Sequence, residues 1–218
     1  MTTNYPTSID TFVNPTSNDS LNSPSHSQQH ANLNDAMVAV QTKLGYGNAN
    51  KVAIYLINET TVTSNATAII SNVFTSTYAK YLVTWQLLTT TRDALNCRFA
   101  AGGSQLNGAT SYRSSWSYVG YAGATGSYDS MILVPSIPGT GSGAIDYYGE
   151  LWVHSPADTS RYTMFNHNSG GSFATGADHS SFYGGGVYQA TTAIDGIAFS
   201  IPTGNLTGKI RIYGLRDS

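Results

Sequence analysis

Residues 209–215 read KIRIYGL, and this short stretch decides the predicted fold class. Residues two apart share one face of a β-strand, so an alternating pattern is typical of a strand buried on one side. The stretch therefore predicts an extended segment with one face towards a core. The two alternating sets are Ile210, Ile212 and Gly214 on one face, and Arg211, Tyr213 and Leu215 on the other.

Short apolar runs of the same kind, interrupted by Gly, Ser, Asn and Pro, fill residues 46–218. Many short strands separated by turn residues are typical of a β-sandwich or barrel, so we expect one mostly β domain over this range. The glycine-rich stretches GGSQLNG and YGGGVY match no phosphate-binding loop and are interpreted as turns. The other predicted strands are Val52–Asn58, Ala66–Ser71, Tyr81–Leu88, Leu95–Ala100, Tyr112–Tyr118, Ser130–Val134, Ala144–His154, Tyr162–Asn166, Gly186–Ala190 and Ile194–Ile201.

Before this domain, residues 23–45 read SPSHSQQHANLNDAMVAVQTKLG and predict a helix. Ser23 suits an N-cap, Pro24 suits the first helical position, and Gly45 suits a C-terminal cap. Residues spaced by four and three form a heptad seam opposite a polar face, which requires a partner: either the β domain or copies of the helix itself. The seam consists of His26, His30, Leu33, Met37, Val40 and Leu44.

Residues 1–22 are polar and carry too few apolar side chains to bury a core of their own. They fit two interpretations: a disordered tail, or an extended arm that becomes ordered on another protein. In the second case the residues that would fill pockets of the partner are Tyr5, Ile9, Phe12, Val13 and Leu21.

The composition restricts the function. Charged residues make up only 10% of the chain and the net charge is −2, which argues against a nucleic-acid partner because phosphate binding needs clustered Lys and Arg. No apolar run is long enough to insert into a membrane, and the first residues lack the features of a signal peptide, so we do not expect secretory export. The lone Cys97 is expected to be a buried thiol.

Two parts of the sequence resemble a known family. Residues 5–45 resemble the N-terminal segment of tailed-bacteriophage appendage proteins, called tail fibre, head fibre or minor tail proteins. That segment shares an extended arm ending in SPSH, a second His four residues later, then NDA and a helix closed by Gly. The matching positions here are Ser23, Pro24, Ser25, His26, His30, Asn34, Asp35, Ala36 and Gly45.

The second part resembles the jelly-roll modules of phage virion proteins. Its matching pieces are LNCRFA (Leu95–Ala100), Tyr112–Trp116, ILVPSIPG (Ile132–Gly139) and the closing stretch Thr192–Leu215. The family often continues its Arg-Phe strand with Asn-Gly-Asp, whereas this chain has Ala100–Gly103. Together the resemblances imply a virion protein, assembled in the host cytoplasm, with an attachment arm (1–22), a trimeric stalk (23–45) and a jelly-roll head (46–218).

Several residues have types that can support chemistry. His26 and His30 are four apart, a spacing that suits a metal, but on the seam they are better explained as polar layers that fix register. Asp146 and Glu150 would share one strand face about 13 Å apart, too far for an acid–base pair. His154, His167 and His179 lie beside no nucleophile motif. The sequence thus predicts no enzyme, cofactor or metal site.

Tyrosine is abundant, with 15 residues, and several lie beside Gly, Ser or Asn. Exposed rings flanked by small polar groups suit carbohydrate, but they also suit protein contacts, and alternating tyrosines also fill cores. The candidate glycan-contacting residues are Tyr112, Trp116, Tyr121, Tyr128 and Tyr183.

Three functions remain open. The first is a non-enzymatic trimeric fibre or spike that is anchored through residues 1–22 to a capsid, neck or tail protein. Its head would offer the predicted loops 102–111, 121–128 and 169–185 for adsorption to a host-surface glycan. The second is a capsid decoration protein that stabilises neighbouring capsomers, and the third is a free lectin-like module, which an attachment arm disfavours.

Overall fold

The computed structural model describes residues 26–44, 54–91, 93–108, 111–120, 125–130, 143–173 and 179–215. The chain divides into two compact units, one over residues 1–53 with Ser218 and one over 54–217. The first contains the helix and the second contains the strands. The predicted attachment residues Tyr5, Ile9, Phe12, Val13 and Leu21 lie outside the described part.

Helix α1 spans His26–Leu44, inside the predicted range 23–45, and is the helix of the first unit. Its polar side is tied by a hydrogen bond from Gln28 Nε2 to Asn32 Oδ1 of 3.0 Å. The apolar seam is open to solvent: the exposed fractions are 59% for Leu33, 53% for Met37 and 36% for Val40. No helical segment in the described part of the chain is long and apolar enough to cross a membrane.

The second unit is built from antiparallel strands, as the alternating sequence predicts. Their bounds are β1 Tyr55–Asn65, β2 Thr67–Ile70, β3 Lys80–Thr89, β4 Asn96–Ala101, β5 Ser104–Gln105, β6 Tyr112–Gly120, β7 Thr125–Ser130, β8 Ile145–His154, β9 Thr163–Phe173, β10 His179–Tyr188, β11 Gly196–Ser200 and β12 Leu206–Leu215. One sheet has the order β1-β12-β3-β8-β9-β10-β6-β7 and the other the order β2-β11-β4-β5.

The inner faces of the two sheets share one hydrophobic core. Aromatic rings meet across it: Trp85 of β3 lies 5.3 Å from Phe199 of β11, and Phe99 of β4 lies 6.0 Å from Phe165 of β9, centroid to centroid. The alternation predicted for KIRIYGL is confirmed, since Ile210 and Ile212 are fully buried. Cys97 is also fully buried, and this burial raises the pKa of its thiol.

The prediction for the glycine-rich stretch 183–188 was wrong. It lies within β10 and is not a turn, and most of the predicted loop 169–185 belongs to β9 and β10. The reason is steric: a Cβ on Gly184 would overlap Ser115 O, and one on Gly186 would overlap Arg113 O, both on the adjacent β6. These glycines let two strands approach each other closely.

Three other predictions differ in detail. The predicted strand 130–134 shares only Ser130 with β7, and its remaining residues lie outside the described part. The predicted loop 121–128 was wrong for residues 125–128, which belong to β7. The predicted loop 102–111 contains the two-residue strand β5, which pairs with the end of β4 after a turn at Gly102 and Gly103.

Candidate functional site

The outer face of the eight-stranded sheet, which points away from the core, carries a groove open to solvent of about 410 Å³. The groove lies at the centre of the sheet, over β12, β3, β8 and β9. The side chains that line it combine one cation, one carboxylate, two amides, a hydroxyl and a phenol ring: Arg211, Glu150, Gln86, Asn168, Thr84 and Tyr148.

Strand register explains why these side chains meet. Arg211 pairs with Thr84, Thr84 pairs with Glu150, and Glu150 pairs with Asn168, so four adjacent strands place these residues in one row. In the next row Gln86 pairs with Tyr148. Residues directly opposite each other in antiparallel strands have Cβ atoms about 5 Å apart. The groove is therefore a property of the sheet and not of a loop.

Charge is distributed unevenly along this row. Glu59 of β1 accepts hydrogen bonds from Lys209 Nζ at 2.7 Å and from Arg211 Nε at 2.6 Å. These two contacts hold the pKa of the Glu59 carboxyl below its ordinary value. Glu59 carries one negative charge against the two positive charges of Lys209 and Arg211, so it neutralises only part of the Arg211 charge.

Glu150 and Asn168 differ from Arg211 in their hydrogen bonding. Neither side chain makes a hydrogen bond to another residue in the described ranges, although Glu150 is only partly exposed. A half-buried carboxylate beside an amide presents strong acceptors and a donor that only solvent or a ligand can satisfy. These are the free polar groups of the groove.

Tyr148 forms an aromatic wall of the groove. It stands on β8 opposite Gly170, and a Cβ on Gly170 would come within 2.7 Å of the Tyr148 hydroxyl oxygen. The ring also lies nearly parallel to the imidazole of His179, 5° between planes with centroids 6.2 Å apart. The missing side chain at Gly170 and the contact with His179 therefore fix the Tyr148 ring across the sheet.

Further aromatic side chains of the outer face flank the groove. Trp152 lies on β8, with the Lys80 ammonium 4.5 Å from its ring centroid. Tyr183 lies on β10, directly opposite Asn168, and its side chain is exposed. The outer face therefore offers rings on both sides of the polar row.

The other candidate glycan-contacting residues are placed differently. The prediction that Tyr112 contacts a glycan was wrong, because its side chain is buried in the core. Its hydroxyl donates a hydrogen bond to Leu106 O and accepts one from Phe99 N. Trp116 is on the inner face, where it packs edge-on against Phe182. Tyr121 and the side chain of Tyr128 lie outside the described residues.

Two of the described histidines lie close to serine hydroxyls: His179 Nε2 is 3.1 Å from Ser181 Oγ and His167 Nδ1 is 3.4 Å from Ser169 Oγ. Asp146 and Glu150 both point outward on β8, which gives the expected separation of about 13 Å, and Asp146 accepts from Gln86 at 3.4 Å. His167 is buried on the inner face, and burial lowers its pKa to about 4. Nowhere in the described ranges do three metal-ligating side chains cluster. His30 lies on α1 and is exposed, while the side chains of His26 and Leu44 are not described.

Sequence reasoning missed Trp152, Glu150 and Asn168 as parts of a binding face. A signal was available in β8, where five outward residues, Asp146, Tyr148, Glu150, Trp152 and His154, alternate with inward apolar ones. A strand with polar and aromatic side chains on its solvent face is a candidate surface for ligands. Asn168 gave no such signal, because only the register of β9 places it beside Glu150.

Comparison with known proteins identifies no relative: no family model, no curated protein and no solved structure matches this chain.

Proposed function

We propose that this protein is a bacteriophage virion structural protein: a homotrimeric fibre or spike, anchored by residues 1–22 and displaying a β head for adsorption to the host surface. The proposal includes no enzymatic activity. The resemblance of residues 5–45 to the N-terminal segment of phage appendage proteins supports the attachment role, and the scarcity of charged residues fits a protein that works on the surface of a particle.

The strand order supports a jelly-roll architecture for the head. With the hairpins β6–β7 and β9–β10 set aside, the remaining strands number one to eight along the chain. They then form two sheets with the orders 1-8-3-6 and 2-7-4-5. This is the order produced when a long antiparallel hairpin folds over twice, as in the double-sheet jelly roll. The two hairpins widen the first sheet beyond β8.

One observation carries the proposed self-association: the apolar seam of α1 is exposed in the single chain. The resemblance to phage appendage proteins implies three copies, since a heptad seam alone also permits a dimer. Leu33, Met37 and Val40 follow heptad spacing, and leaving them in water forfeits about 1.5–3 kcal/mol for each large side chain that could be buried. An amphipathic helix with an uncovered seam is stabilised by association with copies of itself.

Sedimentation of the full chain tests this association. We expect a mass three times that of the 23.2 kDa chain. Met37→Glu, which places a charge in the seam, should dissociate the trimer. Val38→Glu is the matched control, since Val38 is 60% exposed on the same helix but lies off the seam, and it should stay trimeric. A wild-type monomer at every concentration would refute the trimeric stalk.

Particle incorporation tests the attachment arm. A chain that lacks residues 1–22 should fold and remain soluble but be absent from purified particles, while the full chain is present. Truncated protein that is incorporated at the wild-type level would contradict the role of the arm.

A further inference from the structure

We propose that the groove on the outer face of the eight-stranded sheet binds a neutral oligosaccharide of pyranose sugars, held by Glu150 and Asn168 and stacked on Tyr148. This inference rests on the proposed host-surface role and names the ligand class for it.

The free polar groups match sugar hydroxyls. A carboxylate accepts hydrogen bonds through both oxygens, and an amide both accepts and donates. Glu150 and Asn168 stand directly opposite each other on β8 and β9, and neither is engaged by another described side chain. A pair of vicinal hydroxyl groups donates to the carboxylate and accepts from the amide at the same time. A purely apolar ligand would leave both groups unsatisfied, at a cost for each.

The aromatic ring matches the apolar face of a pyranose. Tyr148 is 43% exposed, and its orientation is set by the adjacent Gly170 and by the parallel ring of His179. A ring that is already fixed loses little conformational entropy when a ligand stacks on it. The combination of one stacking ring with neighbouring polar groups fits a sugar, whose C–H face is apolar and whose edge is polar.

The charge of the groove suits a neutral ligand. Arg211 is the only cation among the groove-lining residues, and its Nε is held by Glu59. The unpaired Glu150 carboxylate would repel a sulfate, phosphate or sialic acid group placed beside it. The charges in and beside the groove sum to zero, with Arg211 and Lys209 against Glu59 and Glu150, so no net positive charge favours an anionic glycan or a nucleic acid over a neutral oligosaccharide.

The test uses the full-length protein on an array of neutral hexose and N-acetylhexosamine oligosaccharides, with sialylated and sulfated glycans as anionic comparators. Retained neutral glycans are then titrated by calorimetry. We expect at least one neutral oligosaccharide to bind, and Tyr148→Ala and Asn168→Ala each to weaken that binding by tenfold or more. Tyr162→Ala is the matched control: Tyr162 is 50% exposed but lies outside the groove, so its loss should change affinity less than twofold.

Three results would overturn the inference: no neutral glycan bound by the wild-type protein, binding restricted to anionic glycans, or neutral binding that the two groove variants leave unchanged. These results are separate from the fate of the proposed function. A trimer that enters particles but binds no neutral sugar would refute the ligand and leave the appendage standing. A monomer that binds a neutral sugar at the groove would support the ligand and refute the trimeric appendage.

Discussion

The buried imidazole of His167 makes the stability of the second, β-stranded unit depend on pH. His167 lies on the inner face of β9, where its Nε2 atom has no hydrogen-bond partner within the described ranges and Nδ1 lies 3.4 Å from Ser169 Oγ. Burial lowers its pKa from 6.5 to about 4. In the unfolded chain the imidazole returns to its ordinary pKa and takes up a proton at higher pH than the folded protein does.

The direction and size of the change in the free energy of unfolding follow from the difference between the two pKa values. At pH 7.5 and above the imidazole is almost entirely neutral in both states, so the free energy of unfolding hardly depends on its titration. As the pH falls from 6.5 towards 4, only the unfolded state binds the proton, and stability is lost at about 1.4 kcal/mol per pH unit. At pH 4.5 this loss amounts to about 2.5 kcal/mol relative to pH 7.5.

The assay is urea unfolding followed by tryptophan fluorescence at pH 7.5 and pH 4.5, at one protein concentration. His167→Leu removes the titrating group, so the wild-type protein should lose about 2.5 kcal/mol more than this variant between the two pH values. His167→Gln serves if the leucine variant does not fold. The matched control is Thr163→Val, which changes another buried polar residue on the inner face of β9 but removes no titratable group, and it should keep the wild-type pH dependence. Equal losses in wild type and His167→Leu would refute the reasoning.

Two substitutions test the packing of the β-stranded unit by chemical denaturation. Tyr81→Phe removes a buried hydroxyl that accepts from Thr75 N and donates to Thr75 O, both at 2.7 Å. It should lower the free energy of unfolding by about 1.5 kcal/mol, and an unchanged value would contradict the importance of these bonds. Gly196→Ala should be more damaging, at about 3 kcal/mol or more, because its Cβ would overlap the Ile70 carbonyl oxygen of the neighbouring strand. Gly102→Ala is its control: it has open space and only a left-handed backbone, so we expect about 1 kcal/mol, and a cost equal to that of Gly196→Ala would refute the steric argument.

Local patterns predicted much of the fold. The alternation in KIRIYGL marks β12, and the two sets of residues face the sides that the pattern assigns. The helix was also predictable from the sequence, because capping residues and a heptad seam are local features. Helix α1 falls within the predicted range 23–45. Elements whose stability depends on one buried face carry that face in their own sequence.

Features that depend on distant parts of the chain were not predictable. The glycines of 184–186 resemble a turn because glycine is common there, but here they allow β6 and β9 to approach β10. The groove likewise depends on distant parts of the chain. Its row joins Arg211, Thr84, Glu150 and Asn168, four residues from four strands, and no local pattern encodes the register that aligns them.

The packing of the inner face differs between the strands that carry the groove. On the β3 side the inward residues are large and apolar, with Tyr81, Val83 and Leu87 fully buried. On the β9 side they become His167 and Ser169, polar and smaller. Buried apolar area stabilises a strand in proportion to its extent, so we expect β9 to open at a lower free energy than β3. The wall of the groove that carries Glu150 and Tyr148 is therefore backed by the well-packed half of the sheet. Asn168 stands on β9, the strand that we expect to open at the lower free energy.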